Sequence, residues 1–179
     1  MKHKVIDNFL DEEYFDSLVT LFTDKEDEGG TGQQVPWYFM TSIAYPKGHE
    51  KFLPLRTRDD KLFMMAHMFY DQDVPVSPYY GKLMPILEKL KIKCLIRIKA
   101  NLYPFTETLY EHTMHIDFEF PHKTALLSLN TCDGYTKFKD GTKIDSVANR
   151  VLLFDASKEH CSTNTTNVSA RINVNINYH

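Results

Sequence analysis

The chain has 179 residues, 42% of them hydrophobic and 25% charged, which suits one core-forming domain over 1–179 and excludes a disordered or disulfide-dense chain. Twenty-one Lys and Arg against 24 Asp and Glu leave a formal charge of −3, which excludes a protein that coats nucleic acid through a broad basic surface. No stretch approaches the roughly 20 apolar residues of a membrane span, and Met1–Asp7 carries positive charge with no apolar run behind it, so a cytoplasmic address is expected. Cys94, Cys132 and Cys161, without a CxxC spacing, read as reduced thiols.

Taken in chain order, Tyr14, Phe15, Leu18, Leu21 and Phe22 recur at helical spacing after Asp11, with acidic residues in the first turn, so a helix is predicted over 11–22. The acidic, glycine-rich 24–34 breaks it, and Val35–Met40 opens a strand. Leu62, Met65, Ala66 and Phe69 predict a second amphipathic helix over 57–70, and 79–90 a third, with Pro85 as a kink or late start. From about residue 91 the hydrophobic period changes from 3.6 to 2. In 91–99, isoleucines and Cys94 alternate with Lys91, Lys93, Arg97 and Lys99, a half-exposed strand whose lysine face, with Lys82 and Lys89, either attracts an acidic substrate or, the favoured reading, guards an edge strand against aggregation. Further strands are predicted at 109–118, 124–130, 135–138, 150–155 and 170–178. Helices followed by short strands imply a mainly β (α+β) fold, an antiparallel sandwich or open barrel with helices on one outer face. Residues 1–90 would supply helical support and substrate loops, and 91–179 the core.

Chemistry enters at Met114-His115-Ile116-Asp117, where strand geometry projects His115 and Asp117 from one face. His160, just past the strand Arg150–Phe154, is a natural third donor. Two histidines and one carboxylate on one face of an octahedral ion leave open positions, which suits a non-haem Fe(II) enzyme that activates dioxygen. Arg171, eleven residues beyond His160, can form a bidentate pair with a carboxylate in the barrel mouth. On the final strand, alternation then turns Asn173 and Asn175 inward with Arg171, while Ile172, Val174, Ile176 and Tyr178 face the helices. His112, three residues before His115, falls on the opposite face of a regular strand and reads as a histidine at the surface or behind the ligands rather than as a ligand.

These stretches, with Ala100-Asn101-Leu102-Tyr103-Pro104, Lys139-Asp140-Gly141-Thr142 and Asn149–Asp155, together resemble the Fe(II)/2-oxoglutarate-dependent dioxygenases, within them the small prolyl 4-hydroxylase-like branch and its compact forms in tailed marine phages. The resemblance covers about 95–179. It implies a double-stranded β-helix, or jelly roll, in which His115, Asp117 and His160 hold Fe(II), Arg171 pairs with the distal carboxylate of 2-oxoglutarate and Tyr103 contacts that cosubstrate, with Asn173 a further pocket candidate. With O2 as co-reactant, the implied activity is C–H hydroxylation, foremost of a prolyl residue in a protein or peptide. A nucleic-acid or free amino-acid hydroxylase with the same metal set is the alternative in the same class, and a non-catalytic jelly-roll binding module the alternative outside it. Where some relatives carry a second tyrosine for the cosubstrate, this chain offers Ser128.

Overall fold

The computed structural model describes residues 2–23, 34–41, 43 and 63–179. Among them the strands are β1 (His3–Ile6), β2 (Tyr38–Met40), β3 (Met64–Asp71), β4 (Val74–Pro75), β5 (Leu95–Pro104), β6 (Lys123–Ser128), β7 (Tyr135–Phe138), β8 (Lys143–Asp145), β9 (Arg150–Asp155), β10 (His160–Ser162) and β11 (Ala170–Tyr178). The helices are α1 (Glu12–Phe22) and α2 (Met84–Lys89). A large antiparallel sheet runs β1-β9-β6-β11-β5-β3-β2, with β4 beside β3, and faces a smaller sheet ordered β10-β7-β8. This is a jelly roll, as expected.

The helix at 11–22 forms because Asp11 caps it, accepting from the Tyr14 amide at 2.9 Å, while Phe15, Leu18, Leu21 and Phe22 line one buried face. The third helix is entered through a 3₁₀ turn, Tyr80–Leu83, with Pro85 in the first turn of α2, where its missing N–H costs nothing. Both helices pack on the outer face of the large sheet against Ile98, Ala100, Leu127, Ile172, Val174 and Ile176. Asn149 locks this layer to the sheet: its side chain accepts from Leu10 N at 2.8 Å and donates to Leu10 O at 2.9 Å. It does so at φ 58°, a left-handed conformation that asparagine tolerates better than most residues.

Three sequence expectations fail here. The helix predicted over 57–70 is strand β3 from Met64 onward, and 57–62 lie outside the described residues. β3 sits inside the sheet and is buried on both faces, so its apolar residues form an almost unbroken run that matches a helical template by accident. The amino-terminal half thus supplies sheet as well as helices. The lysine-bearing strand is no edge either: β5 lies between β11 and β3, so its cations serve some purpose other than guarding an open rim. The strand expected at 109–118 is reduced to isolated bridges at Glu111 and His115.

Between the sheets the interior divides. One part is aromatic, with Phe138 and Phe154 at a centroid separation of 5.3 Å beside Leu152 and Ala156. The other is polar, walled by Arg171, Asn173, Asn175 and Asn177 of β11.

Candidate metal centre

His115 and His160 meet through the backbone before their side chains do. The His115 amide donates to His160 O at 2.9 Å and the His160 amide to His115 O at 3.0 Å, one antiparallel bridge that joins β10 to the segment after β5. The Asp117 amide is held in turn by Ala156 O at 3.0 Å. This pairing brings the two imidazoles to a centroid distance of 4.7 Å, with Asp117 Oδ1 3.8 Å from each Nε2. The three donor atoms all lie within 4.8 Å of one another, the span of ligands around a single ion.

The tautomers fit a metal. His115 Nδ1 faces Thr113 O at 3.0 Å and His160 Nδ1 faces Lys158 O at 3.0 Å; a carbonyl only accepts, so both Nδ1 atoms carry the proton and both Nε2 lone pairs are free. Burial, with His160 beside it, lowers the His115 pKa and favours the neutral imidazole a metal needs. Asp117 is aimed just as firmly. Its Oδ2 accepts from Asn177 Nδ2 at 2.7 Å and Asn175 Nδ2 at 3.2 Å, which leaves Oδ1 for the centre. Burial pushes the carboxyl upward, but His160, Arg97, the Asn177 amide and His115 outweigh it and hold the group well below the usual carboxylate range.

Arg171 lies alongside, 1% exposed. Nη1 donates to Tyr135 O at 2.9 Å and Thr163 O at 3.0 Å, and Nη2 to Thr136 Oγ1 at 3.1 Å. Among the described residues Nε–H is buried without a partner, and so is Nε2 of His112, whose ring centroid is 5.2 Å from that of Tyr103. The Arg171 guanidinium carbon is 5.7 Å from the centre of the same Tyr103 ring. Buried polar atoms are almost always satisfied, so two orphans around one tyrosine mark a place that a polar ligand would complete. Glycine at 134 makes the arrangement possible: a Cβ there would stand 2.7 Å from Arg171 Cδ and 2.6 Å from Asn164 O. A cavity of about 30 Å³ beside the trio is lined by His115, His160, Tyr103, Thr136, Asn173 and their neighbours, room for two or three water molecules. Larger hollows at Lys139–Glu159 and around Tyr38 and His67 gather no comparable set of donors.

The sequence-derived residues therefore sort as follows. His115, Asp117 and His160 converge, and Tyr103 and Asn173 line the adjoining cavity with Arg171 behind its wall. Asn173 accepts from Asn101 Nδ2 at 3.0 Å. His112 stays outside the trio and, of the two places expected for it, is not at the surface: it is buried, with Nδ1 2.8 Å from Ser162 Oγ. Glu119, two residues beyond Asp117 and on the same face only if a strand continued there, stays outside the trio. Of Trp37, Tyr38 and Tyr45, which the sequence offers either as an aromatic wall for substrate or as core, Trp37 packs on the core and Tyr38 is exposed; Tyr45 and most of 28–36 and 46–56, expected with 104–112 to form loops around the barrel mouth, lie outside the described residues. Sequence reasoning missed Arg97, Gly134 and Asn177 as parts of this centre. A signal for Arg97 existed: counting back from Tyr103 by twos along a strand gives Asn101, Lys99 and Arg97 on the same face.

No family model matches the chain, and no curated protein sequence matches it. Solved structures share its fold at low identity. A 2OG-Fe(II) oxygenase family oxidoreductase from Burkholderia pseudomallei aligns with a TM-score of 0.61 and 9% identity over 98% of this chain and 85% of that one. The viral collagen prolyl hydroxylase of Paramecium bursaria Chlorella virus-1, in a 2OG complex, aligns at 0.55 and 14% identity over 100% and 97%. A Trichoplax adhaerens prolyl hydroxylase, in complex with a hypoxia inducible factor oxygen degradation domain peptide fragment, aligns at 0.58 and 15% identity over 98% and 82%. The chain thus has the fold of 2-oxoglutarate oxygenases.

Proposed function

We propose that the chain is an Fe(II)- and 2-oxoglutarate-dependent dioxygenase that hydroxylates a C–H bond, foremost of a prolyl residue in a protein or peptide. The observation that carries this reading is the donor set itself, two Nε2 lone pairs freed by carbonyl-held Nδ1–H groups and one carboxylate oxygen, all within 4.8 Å of one another. That set suits the facial two-histidine, one-carboxylate site of ferrous oxygenases, whereas structural zinc prefers a closed tetrahedron of sulfur and nitrogen. A ferrous ion bound there, with 2-oxoglutarate and O2, supplies the oxidising chemistry, with succinate and carbon dioxide as coproducts.

The chain's own groups orient and hold. His115, His160 and Asp117 Oδ1 present the ligand atoms, and Asn177 and Asn175 keep Asp117 from swinging away. Arg171, with its unpartnered Nε–H, takes the distal carboxylate of the cosubstrate, helped by His112 Nε2 and the polar wall of Tyr103 and Asn173. Such a carboxylate would satisfy donors that are otherwise stranded in the interior. A jelly-roll module that merely binds something has no need for two imidazoles turned with their lone pairs toward one carboxylate. The prolyl and peptide part of the reading is supported by the prolyl hydroxylases that share the fold, one of them with a peptide bound.

Anaerobic addition of Fe(II) and 2-oxoglutarate to the purified protein tests the class. A weak visible charge-transfer absorption and, on admitting oxygen, succinate formation are expected, both lost in Asp117→Ala. Turnover that survives Asp117→Ala would refute the ligand assignment. Screening peptides for the gain of one oxygen atom tests the substrate.

A further inference from the structure

The site face of β5 carries more positive charge than the cofactor set employs. Arg97 Nε donates to Asn177 Oδ1 at 3.2 Å, Asn101 donates to Asn173, and Tyr103 lies against Arg171, so these alternate residues all point between the sheets. Lys99 stands between Arg97 and Asn101 and shares that face. In register it lies opposite Asn175 of β11, whose amide touches Asp117, and beside Met68 of β3. Its charge is felt by both Asp117 and His115, from the flank of the trio away from β6. Arg97 is accounted for: it reaches Asp117 at 3.8 Å and lies 4.6 Å over the Phe118 ring. Lys99 is not. Among the described residues no hydrogen bond or ion pair engages it, and the charged groups around it are Arg97 and Asp117. Burial, with Arg97 adding to it, pushes its pKa down to about 8, as expected of a cation with no adequate counter-charge.

A charge tally sharpens the point. With neutral imidazoles, the ferrous ion and the cosubstrate dianion cancel. Three cations, Arg97, Lys99 and Arg171, then face one carboxylate, Asp117, which leaves a surplus of two positive charges around the site. Uncompensated charge in a partly buried site is costly, and an anionic ligand relieves it. Lys99 is no guard on an open rim, because β5 is paired on both sides.

Building on the oxygenase reading above, we propose that Lys99, with Arg97 beside it, recognises a carboxylate of the primary substrate, so that the carbon to be hydroxylated lies within a few bonds of an anionic group. That carboxylate belongs either to a free amino acid or to an acidic residue next to the target in a peptide. Both sources present the same chemistry to the ammonium.

The test uses the full chain loaded with redox-silent Zn(II) and saturated with 2-oxoglutarate, titrated calorimetrically with matched probes. One arm compares free amino acids with their amides. The other compares capped proline peptides carrying Asp or Glu beside the ring with the Asn or Gln versions. In one arm the carboxylate member should bind at least about tenfold more tightly, the scale of one charge-assisted hydrogen bond. Lys99→Met should erase that preference and Lys99→Arg retain it, with the affinity for 2-oxoglutarate equal in all three proteins. Equal affinity for both members of every pair, or no binding by any carboxylate probe, overturns the inference. So does a weakened affinity for 2-oxoglutarate in Lys99→Met, which would assign the ammonium to the cosubstrate. Failure of the wild type to bind 2-oxoglutarate at all is read before any probe is added and would sink the oxygenase reading and this inference together.

Discussion

The two faces of β11 are buried to nearly the same degree and built from opposite chemistry. Ile172, Val174 and Ile176, at 6%, 0% and 0% exposure, close the outer layer under the helices. Arg171, Asn173, Asn175 and Asn177, at 1%, 1%, 8% and 0%, face the other sheet. The apolar face needs nothing beyond contact, and each fully buried aliphatic side chain there contributes about 1.5–3 kcal/mol. The polar face must find a partner for every donor and acceptor it takes out of water, and it does so incompletely: among the described residues Arg171 Nε and Asn175 Oδ1 have none. A strand selected for stability alone would carry leucine or valine at these positions. The asparagines and the arginine are explained by what they hold, so the outer face sustains the fold and the inner face sustains the site.

That division can be broken by mutation, and the largest effect should come from the outer face. Ile176→Ala should lower stability by about 2–5 kcal/mol in denaturant unfolding, while the protein that remains folded binds metal as the wild type does. Loss of metal affinity in the folded fraction would show that the two faces are not separable. Asn177→Leu inverts the experiment. It removes the 2.7 Å hydrogen bond to Asp117 Oδ2, along with one to Thr124 and the one accepted from Arg97, and should reduce metal affinity by about 10–100-fold in a competition titration. A stability loss as large as that of Ile176→Ala, with metal affinity intact, would make the inner face structural.

A smaller effect probes Arg171 without touching it. Gly134→Ala places a methyl where Arg171 Cδ and Asn164 O already stand, so the guanidinium or the β7 entry must shift. Affinity for 2-oxoglutarate should fall about tenfold while affinity for the metal alone is retained, because His115, Asp117 and His160 are held by a different set of backbone contacts. Equal loss of both would mean that the glycine serves the whole barrel rather than the carboxylate pocket.

How much of this was legible in the sequence follows from which periodicities one strand can display alone. β11 reads cleanly because its faces differ in polarity, so Arg171, Asn173 and the isoleucines could be sorted from eight alternating letters. His115 and Asp117 could be paired by spacing, although the backbone that carries them is an isolated bridge and not a regular strand. β3 could not be read, because burial on both faces erases the contrast that period 2 depends on. Lys99 and Arg97 were legible in their alternation and misread in their setting: charge on a half-apolar strand fits an edge as well as a site, and only the pairing with β11 and β3 decides. Gly134 gave no signal, since its importance lies in a close approach by residues about 30 and 37 positions away in the chain.

The finest test of the polar face is acid. His112 is enclosed against Tyr103 and Ser162, and burial first, then Arg171 and His115, pulls its pKa down to about 3, whereas in the unfolded chain it would titrate near 6.5. A base whose folded pKa is depressed stays neutral while the unfolded chain takes up a proton, so its contribution to stability is full above about pH 6.5 and is lost as pH falls toward 3. Between pH 7.5 and 5.5 this one group should cost about 1 kcal/mol of unfolding free energy. His115, also lowered by burial, moves stability in the same direction. His112→Gln keeps a polar side chain beside Ser162 and cannot titrate, so in urea unfolding its loss of stability between those two pH values should be smaller than the wild type's by about that amount. An identical pH slope in the two proteins would place the His112 ring in water-like surroundings and remove it from the carboxylate pocket, leaving Arg171 and Tyr103 to bind the cosubstrate without it.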